Sequence, residues 1–332
     1  MNIYKVSFLS ISFTAVKVIS LFAISKFVAV VGGPSALTVL GNFQNYSAII
    51  HILSGAMYKT GVVKYIAELK SDNDQEGFLN NFILIAVAQS LLITFLLLFF
   101  IDELTNLIFF SSQYKFIVAL LLFSLPFVVF SILGISFLNG VGRINDFVLA
   151  NIFASLTNLI LVLVLGIFFG VTGIYIAFAT YYIVVSFFAF RLLNKQIKKF
   201  SFKIQFETDV VKKLFIFSII TISSICISNF TLITIREILS SSSLPENYSG
   251  YWQGVWNLSQ IIMSFITILL STYLLPVVSK SNCFKEINIE ILKTLRLIIP
   301  LSVFFSTFIF FLREPIILIL FTKEFLPMAD LF

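Results

Sequence analysis

Charge is scarce in this chain. Only 11% of its 332 residues are Asp, Glu, Lys or Arg, where a soluble domain carries about a quarter. An ordinary soluble enzyme is thereby excluded. Cysteine occurs twice, Cys226 in an apolar stretch and Cys283 in a polar loop, so no disulfide framework is implied. Histidine occurs once, at His51. No Asp or Glu falls in the middle of any long apolar stretch; Glu68, Asp102 and Glu237 lie at the ends. Carboxylate-coupled cation transport therefore has no obvious ligand, and acid/base catalysis lacks its carboxylate pair. There is no nucleotide-binding loop and no metal-ligand cluster. Neither a cofactor nor a metal nor a nucleic-acid partner is expected.

Apolar residues are what is present in abundance. They make up 59% of the chain, with 41 Phe and a mean hydropathy of +1.05. A membrane-crossing helix needs about 20 mostly apolar residues. Nine such stretches can be drawn, roughly at 6–31, 36–68, 80–101, 113–139, 147–169, 173–193, 212–239, 251–279 and 293–312. The fold class is an all-α polytopic membrane protein. The first stretch carries Lys17 and Lys26 and no small-residue cleavage site, so it reads as a retained helix rather than a signal peptide. Forty-one Phe reads as lipid-facing bulk.

The cations sort to one side. Alternate connections hold Lys5; Lys64 and Lys70; Arg143; the run from Arg191 through Lys195, Lys198, Lys199 and Lys203 to Lys213; and Lys280 to Arg296. The intervening ones, Gly32-Gly33-Pro34, Asp102 to Lys115, Gly170-Val171-Thr172 and Ser240 to Gly250, hold very few. Basic loops stay cytoplasmic, which puts the N-terminus there too. The net charge of +6 is thus a topology signal.

The basic loop after the sixth stretch divides the chain into a six-helix lobe, 1–200, and a second lobe, 201–332. An internal echo supports the division. Lys26 precedes Gln44 by 18 residues and Arg236 precedes Gln253 by 17; His51 and Gln260 each follow seven residues later. Six helices apart, the repeats would be parallel. The second lobe then contains three complete helices and the start of a fourth, and the expectation is a C-terminally truncated chain.

Ionisable groups at bilayer depth are costly and mark cavities or partners. Lys17 shares a helix face with Ser7, Ser10 and Thr14 and is expected to point into a hydrated cavity. Lys26 is half a turn away and closer to the outer interface, where snorkelling competes with a cavity role. Arg236 lies near the outer end of its helix beside Glu237, with a local structural role as the alternative. Gln44, Ser47, His51 and Ser54 form one polar face; Gln253, Asn257, Gln260, Ser264, Thr267 and Ser271 form another, read as a cavity wall. Asn151, Ser155 and Asn158 read as interhelical glue. His51 is the one group in the spans that titrates near neutrality unshifted, and a hydrogen-bonding role competes with proton transfer. Trp252 and Trp256 read as interfacial anchors. Cations with amides and hydroxyls suit a phosphorylated, sugar-bearing amphiphile.

Specific segments add to this. Thr14-Ala15-Val16-Lys17, Gly33-Pro34, Gly41-Asn42-Phe43 and Gly61-Val62-Val63-Lys64-Tyr65 resemble the opening of Wzx-type lipid-linked oligosaccharide flippases. Tyr251-Trp252-Gln253-Gly254-Val255, Phe265-Ile266-Thr267, Tyr273-Leu274-Leu275-Pro276, Leu312-Arg313-Glu314 and Asp330-Leu331-Phe332 are similar to later segments of the same proteins. The resemblance is to the O-antigen and enterobacterial-common-antigen branch of the multidrug/oligosaccharidyl-lipid/polysaccharide exporter superfamily. It implies two six-helix lobes around a cationic cavity, in the bacterial inner membrane. The implied substrate is undecaprenyl pyrophosphate bearing one oligosaccharide repeat. That substrate would move to the periplasmic leaflet by alternating access, without an enzymatic step. Lys17, Lys26 and Arg236 match positions where such flippases carry cations; Gln260 stands where many carry an acid. Membrane lipids, an O-antigen polymerase and a chain-length regulator are the implied neighbours. A drug or cation exporter of the superfamily, an O-antigen polymerase and a non-transporting fragment in an assembly complex stay open as alternatives.

Overall fold

A computed structural model describes residues 3–69, 72–194, 208–241, 247–270 and 284–332. Among the described residues there are ten α-helices and no strand. They are α1 (Ile3–Leu53), α2 (Lys59–Glu68), α3 (Asp72–Leu98), α4 (Ile101–Phe109), α5 (Lys115–Gly140) and α6 (Ile144–Asn194), then α7 (Thr208–Ser241), α8 (Tyr248–Leu269), α9 (Phe284–Phe311) and α10 (Arg313–Leu320). Short 3-10 turns occupy Ala56–Tyr58, Ser112–Tyr114 and Lys323–Leu331. Six of these helices are long and apolar enough to cross a membrane. The basic run from Lys195 to Lys203, Lys70, Ser271, the Tyr273–Pro276 segment, Lys280 and Cys283 lie outside the described residues, as do the side chains of Lys5, Ser7, Ser10, Lys212, Lys213 and Lys285.

Two helices exceed a bilayer's thickness and are broken by glycine. α1 departs from helical geometry at Gly33 (φ 64°, ψ −162°). Proline at 34 disfavours the α conformation in the residue before it, and glycine alone reaches positive φ without a Cβ clash. α6, with 51 residues, breaks at Gly170 (φ 60°, ψ −142°). Both breaks fall where the charge-poor connections were expected. One expectation is corrected: the stretch 36–68 is not one helix. α1 ends at Leu53 and the chain turns at Gly55 (φ 127°) before α2 begins. A Cβ there would sit 3.2 Å from Ala86 and Val129, so only glycine takes that turn without strain. The connection at 101–113 is likewise not a plain loop. It folds as α4, whose first turn carries Asp102 and Glu103 against the positive end of the helix dipole, and Asp102 pairs with Lys115 at 2.7 Å.

The chain packs as two compact units, residues 39–242 and residues 1–38 with 243–332. In the first, α5 is the most buried of the candidate spans. Leu133, Phe137 and Leu138 pack with Val62, Ile66, Leu79 and Leu193. Gly140 brings α5 against Ile66, and Gly134 brings it against Leu193, at distances where a Cβ would overlap; small residues of this kind let membrane helices approach closely. This unit's exposed faces are apolar: Phe99 is 69% and Phe168 75% exposed. In water that would be a liability; against lipid it costs nothing. The other unit is built on α8. Gly250 abuts the Pro34 carbonyl and Gly254 the Met328 sulfur, both too closely for a Cβ. Tyr251, Phe321 and Phe325 form an aromatic stack beside them.

The helix order repeats. α3, α4 and a 3-10 turn recur as α9, α10 and a 3-10 turn. The starts of α4 and α10, Ile101 and Arg313, are 212 residues apart.

Candidate functional site

The candidate residues fall into both units. In the unit of residues 39–242, Arg236 on α7 is 1% exposed. Its Nη1 donates to Asn42 Oδ1 at 2.9 Å. With the Asn45 amide oriented to satisfy both its ends, its oxygen accepts from Nη1 and Nη2 at 3.1 Å each. Its nitrogen then donates to Asn229 Oδ1 at 3.2 Å. Asn42 and Asn45 are three apart on α1, and Asn229 and Arg236 seven apart on α7, so each pair shares a helix face. The guanidinium on α7 is thus held by two amides of α1, one of which is braced in turn by Asn229.

The polar face of α1 lies in the same unit. Gln44 and His51 are half-buried. The His51 ring meets Tyr182 edge-on, with centroids 5.6 Å apart. Its Nε2 and the hydroxyl of Ser47 one turn earlier are buried without a hydrogen-bond partner among the described residues. Buried polar atoms are rarely left so, and water or ligand is the usual remedy. Ser54 differs: it is fully buried and donates to the Ile50 carbonyl at 2.7 Å. The α6 stripe is used locally as well, Asn151 donating to Phe147 and Ser155 to Asn151 within their own helix.

The other unit holds Lys17, Lys26, Gln253, Asn257 and Gln260. Lys17 is exposed. Lys26 donates to the Leu318 carbonyl at 3.2 Å and to the Phe321 carbonyl. These belong to the end of α10, whose last carbonyls have no partner within the helix, and a cation at a helix C-terminus also answers the dipole. Gln253, buried, donates to Asn257 Oδ1 at 3.0 Å, and Asn257 donates to Ser25 Oγ at 3.2 Å. This chain ties α8 to α1. Gln260 is half-buried. The Ser264 and Thr267 hydroxyls turn back to carbonyls of α8, so the α8 stripe is less open than its polarity implies. Trp252 and Trp256 stack at 5.9 Å.

Asn42, Asn45, Asn229 and Ser25 were not singled out as site residues from sequence. The i, i+3 spacing of the two α1 amides was the available signal.

A family model described as "Polysaccharide biosynthesis protein" matches residues 44–330, and the chain belongs to that family. It is 24% identical to the lipid III flippase of Escherichia coli K12 over 336 residues, covering all of this chain and 80% of that one. The Shigella flexneri lipid III flippase matches to the same extent. Among solved structures, an inward-facing multidrug resistance MATE family transporter of the MOP superfamily superposes with a TM-score of 0.73 at 17% identity, over 95% of this chain and 74% of that one. A MOP superfamily transporter from Pyrococcus furiosus, with a binding pocket of reverse polarity, does so at 0.73 and 16%, over 99% and 75%. At these identities the structural likeness bears on fold alone.

Proposed function

We propose that this chain is a flippase, not an enzyme. In this reading it carries undecaprenyl pyrophosphate bearing an O-antigen-type repeat from the cytoplasmic to the periplasmic leaflet of the inner membrane. Alternating access and a cytoplasmic N-terminus are part of the proposal. So is a cycle run by two lobes, residues 1–200 and 201–332, with nine crossings. The observation that carries it is the similarity to lipid III flippases over the whole of this chain and 80% of theirs. The MOP fold hosts transporters of different cargo, so fold does not choose between lipid and drug. Residue chemistry favours the lipid. Lys17 is exposed and cationic within an apolar helix, and ammonium binds phosphate as a point charge. Pyrophosphate is assigned to Lys17, with Arg236 and Lys26 joining as partners are exchanged during the cycle. The glycan is assigned to Gln44, His51, Gln253, Asn257 and Gln260, whose amides and ring nitrogens match sugar hydroxyls. A polymerase and a chain-length regulator would act on the delivered repeat.

Lys17→Ala should cut surface glycan about tenfold or more while leaving the amount of protein in the membrane unchanged. Lipopolysaccharide gels read the first and immunoblots of membranes the second. Normal glycan in that variant would sink the pyrophosphate assignment. Deletion of the gene with an unchanged glycan ladder and a raised drug susceptibility would favour a drug exporter.

A further inference from the structure

Two cations at equivalent points of the repeat are both spent on holding helices together, and both bonds bridge distant parts of the sequence. Lys26 reaches carbonyls 292 and 295 residues onward. Arg236 reaches Asn42, 194 residues back. Each cation lies on the helix that opens its repeat, and each bonds the other repeat. The packing follows the same exchange: residues 1–38 group with 243–332, and α7 groups with the helices of the first repeat. We infer that Lys26 and Arg236 are a matched pair of latches. Each holds the first helix of its repeat onto the opposite repeat, and each must release for the lobes to move. The inference rests on the flippase reading for the motion it controls, but the latches themselves rest on the bonds.

The acceptors explain why release is feasible. Lys26 holds two backbone carbonyls, and Arg236 holds side-chain amides that have further partners of their own, Asn45 to Asn229. All of these are neutral acceptors. A bond between a cation and an anionic oxygen is roughly twice as strong as a neutral one, so a pyrophosphate that reaches either cation competes well for it. On that view the headgroup is what opens the latch, and the two cations act as positioning residues before they act as ligands.

The test uses the full chain in detergent, with Cys226→Ala and Cys283→Ala as background. Ser249→Cys reports on the Lys26 unit and Ser47→Cys on the Arg236 unit. Both serines are buried and have no hydroxyl partner among the described residues, so the replacements are small. Labelling by a water-soluble maleimide is timed. Lys26→Met should speed Ser249→Cys labelling about tenfold and leave Ser47→Cys slow; Arg236→Met should do the reverse. Lys26→Arg should restore slow labelling. Undecaprenyl pyrophosphate binding is measured in parallel. Unchanged labelling overturns the latches, whatever the binding. Acceleration at both reporters by either single variant means general loosening and also overturns them. Loss of binding in Lys26→Met with labelling unchanged makes Lys26 a ligand only. Failure of the unsubstituted chain to bind the lipid instead defeats the flippase reading and leaves the latches standing. If Arg236→Met does not accumulate, Asn42→Ala with Asn45→Ala breaks the same latch from the other helix.

Discussion

Arg236 and Lys26, each a cation in an apolar helix, are satisfied in opposite ways. Arg236 is sealed, and its acceptors are side chains that are themselves buried: Asn42 is 3% and Asn45 8% exposed. Lys26 is half-buried, and its acceptors are the carbonyls at the end of α10. Removing the first cation strands amides that water cannot easily reach. Removing the second strands one acceptor in the fully buried Phe321 and one in the exposed Leu318, and water can serve only the latter. The same charge therefore carries different weight in the two units, set by the burial of its acceptors.

That difference predicts the largest effect. Arg236→Leu should lower stability by about 3 kcal/mol, because a buried polar group left unpaired costs about 1–3 kcal/mol and more than one is left. Thermal unfolding of the full chain in detergent, followed by Trp252 and Trp256 fluorescence, reads it as a fall in Tm. A double variant with Asn42→Leu should fall by less than the sum of the two single variants, since the stranded amide is gone. Additive losses would mean that Asn42 does not depend on Arg236, and the contrast with Lys26 would collapse.

Next in size is the seam that brings Lys26 to its carbonyls. A Cβ on Gly250 would lie 2.2 Å from the Pro34 carbonyl oxygen, which is backbone and cannot step aside. Gly250→Val should cost about 2 kcal/mol, within the range for overpacking. Gly77, with open space around its missing Cβ, provides the control. Gly77→Ala on α3 should be neutral or stabilising by up to about 1 kcal/mol. Equal losses at both glycines would mean that the α1–α8 contact is loose.

The fold was legible wherever composition or a breaker residue carried it. Apolar runs announced the long helices, and Gly33-Pro34 and Gly170 announced the turns between paired arms. The Gly55 break was not legible, because an apolar run reads the same whether or not one residue adopts φ 127°. α4 was missed for the opposite reason: its charged first turn looked like a loop, although acids at a helix start are stabilising. For the site, sequence could show that Lys26 and Arg236 sit in apolar helices and must be satisfied by something. It could not show by what. The partners of Lys26 are main-chain carbonyls, which have no signature in the sequence, and they lie almost the length of the chain away. The amides around Arg236 were visible as a pair on one face, yet only packing joins them to α7.

The smallest effects test whether Lys26 is as replaceable as its exposure implies. Lys26→Met keeps the apolar stem and removes the charge, so it should cost about 1 kcal/mol, the scale of a cation at a helix C-terminus. Ser264→Ala sets the floor. Its hydroxyl bonds the Gln260 carbonyl one turn back in α8, a carbonyl the helix ladder already serves. Its loss should stay below about 0.5 kcal/mol, and glycan export should be unchanged. The ordering Arg236→Leu, Lys26→Met, Ser264→Ala in Tm is thus fixed by what each partner can do once abandoned: two sealed amides have no substitute, one of the two α10-end carbonyls has water, and a carbonyl inside a helix has its own N–H. If Lys26→Met proved as costly as Arg236→Leu, the Leu318 carbonyl would have to be shut off from water as completely as Phe321 is. The two latches would then differ in chemistry alone.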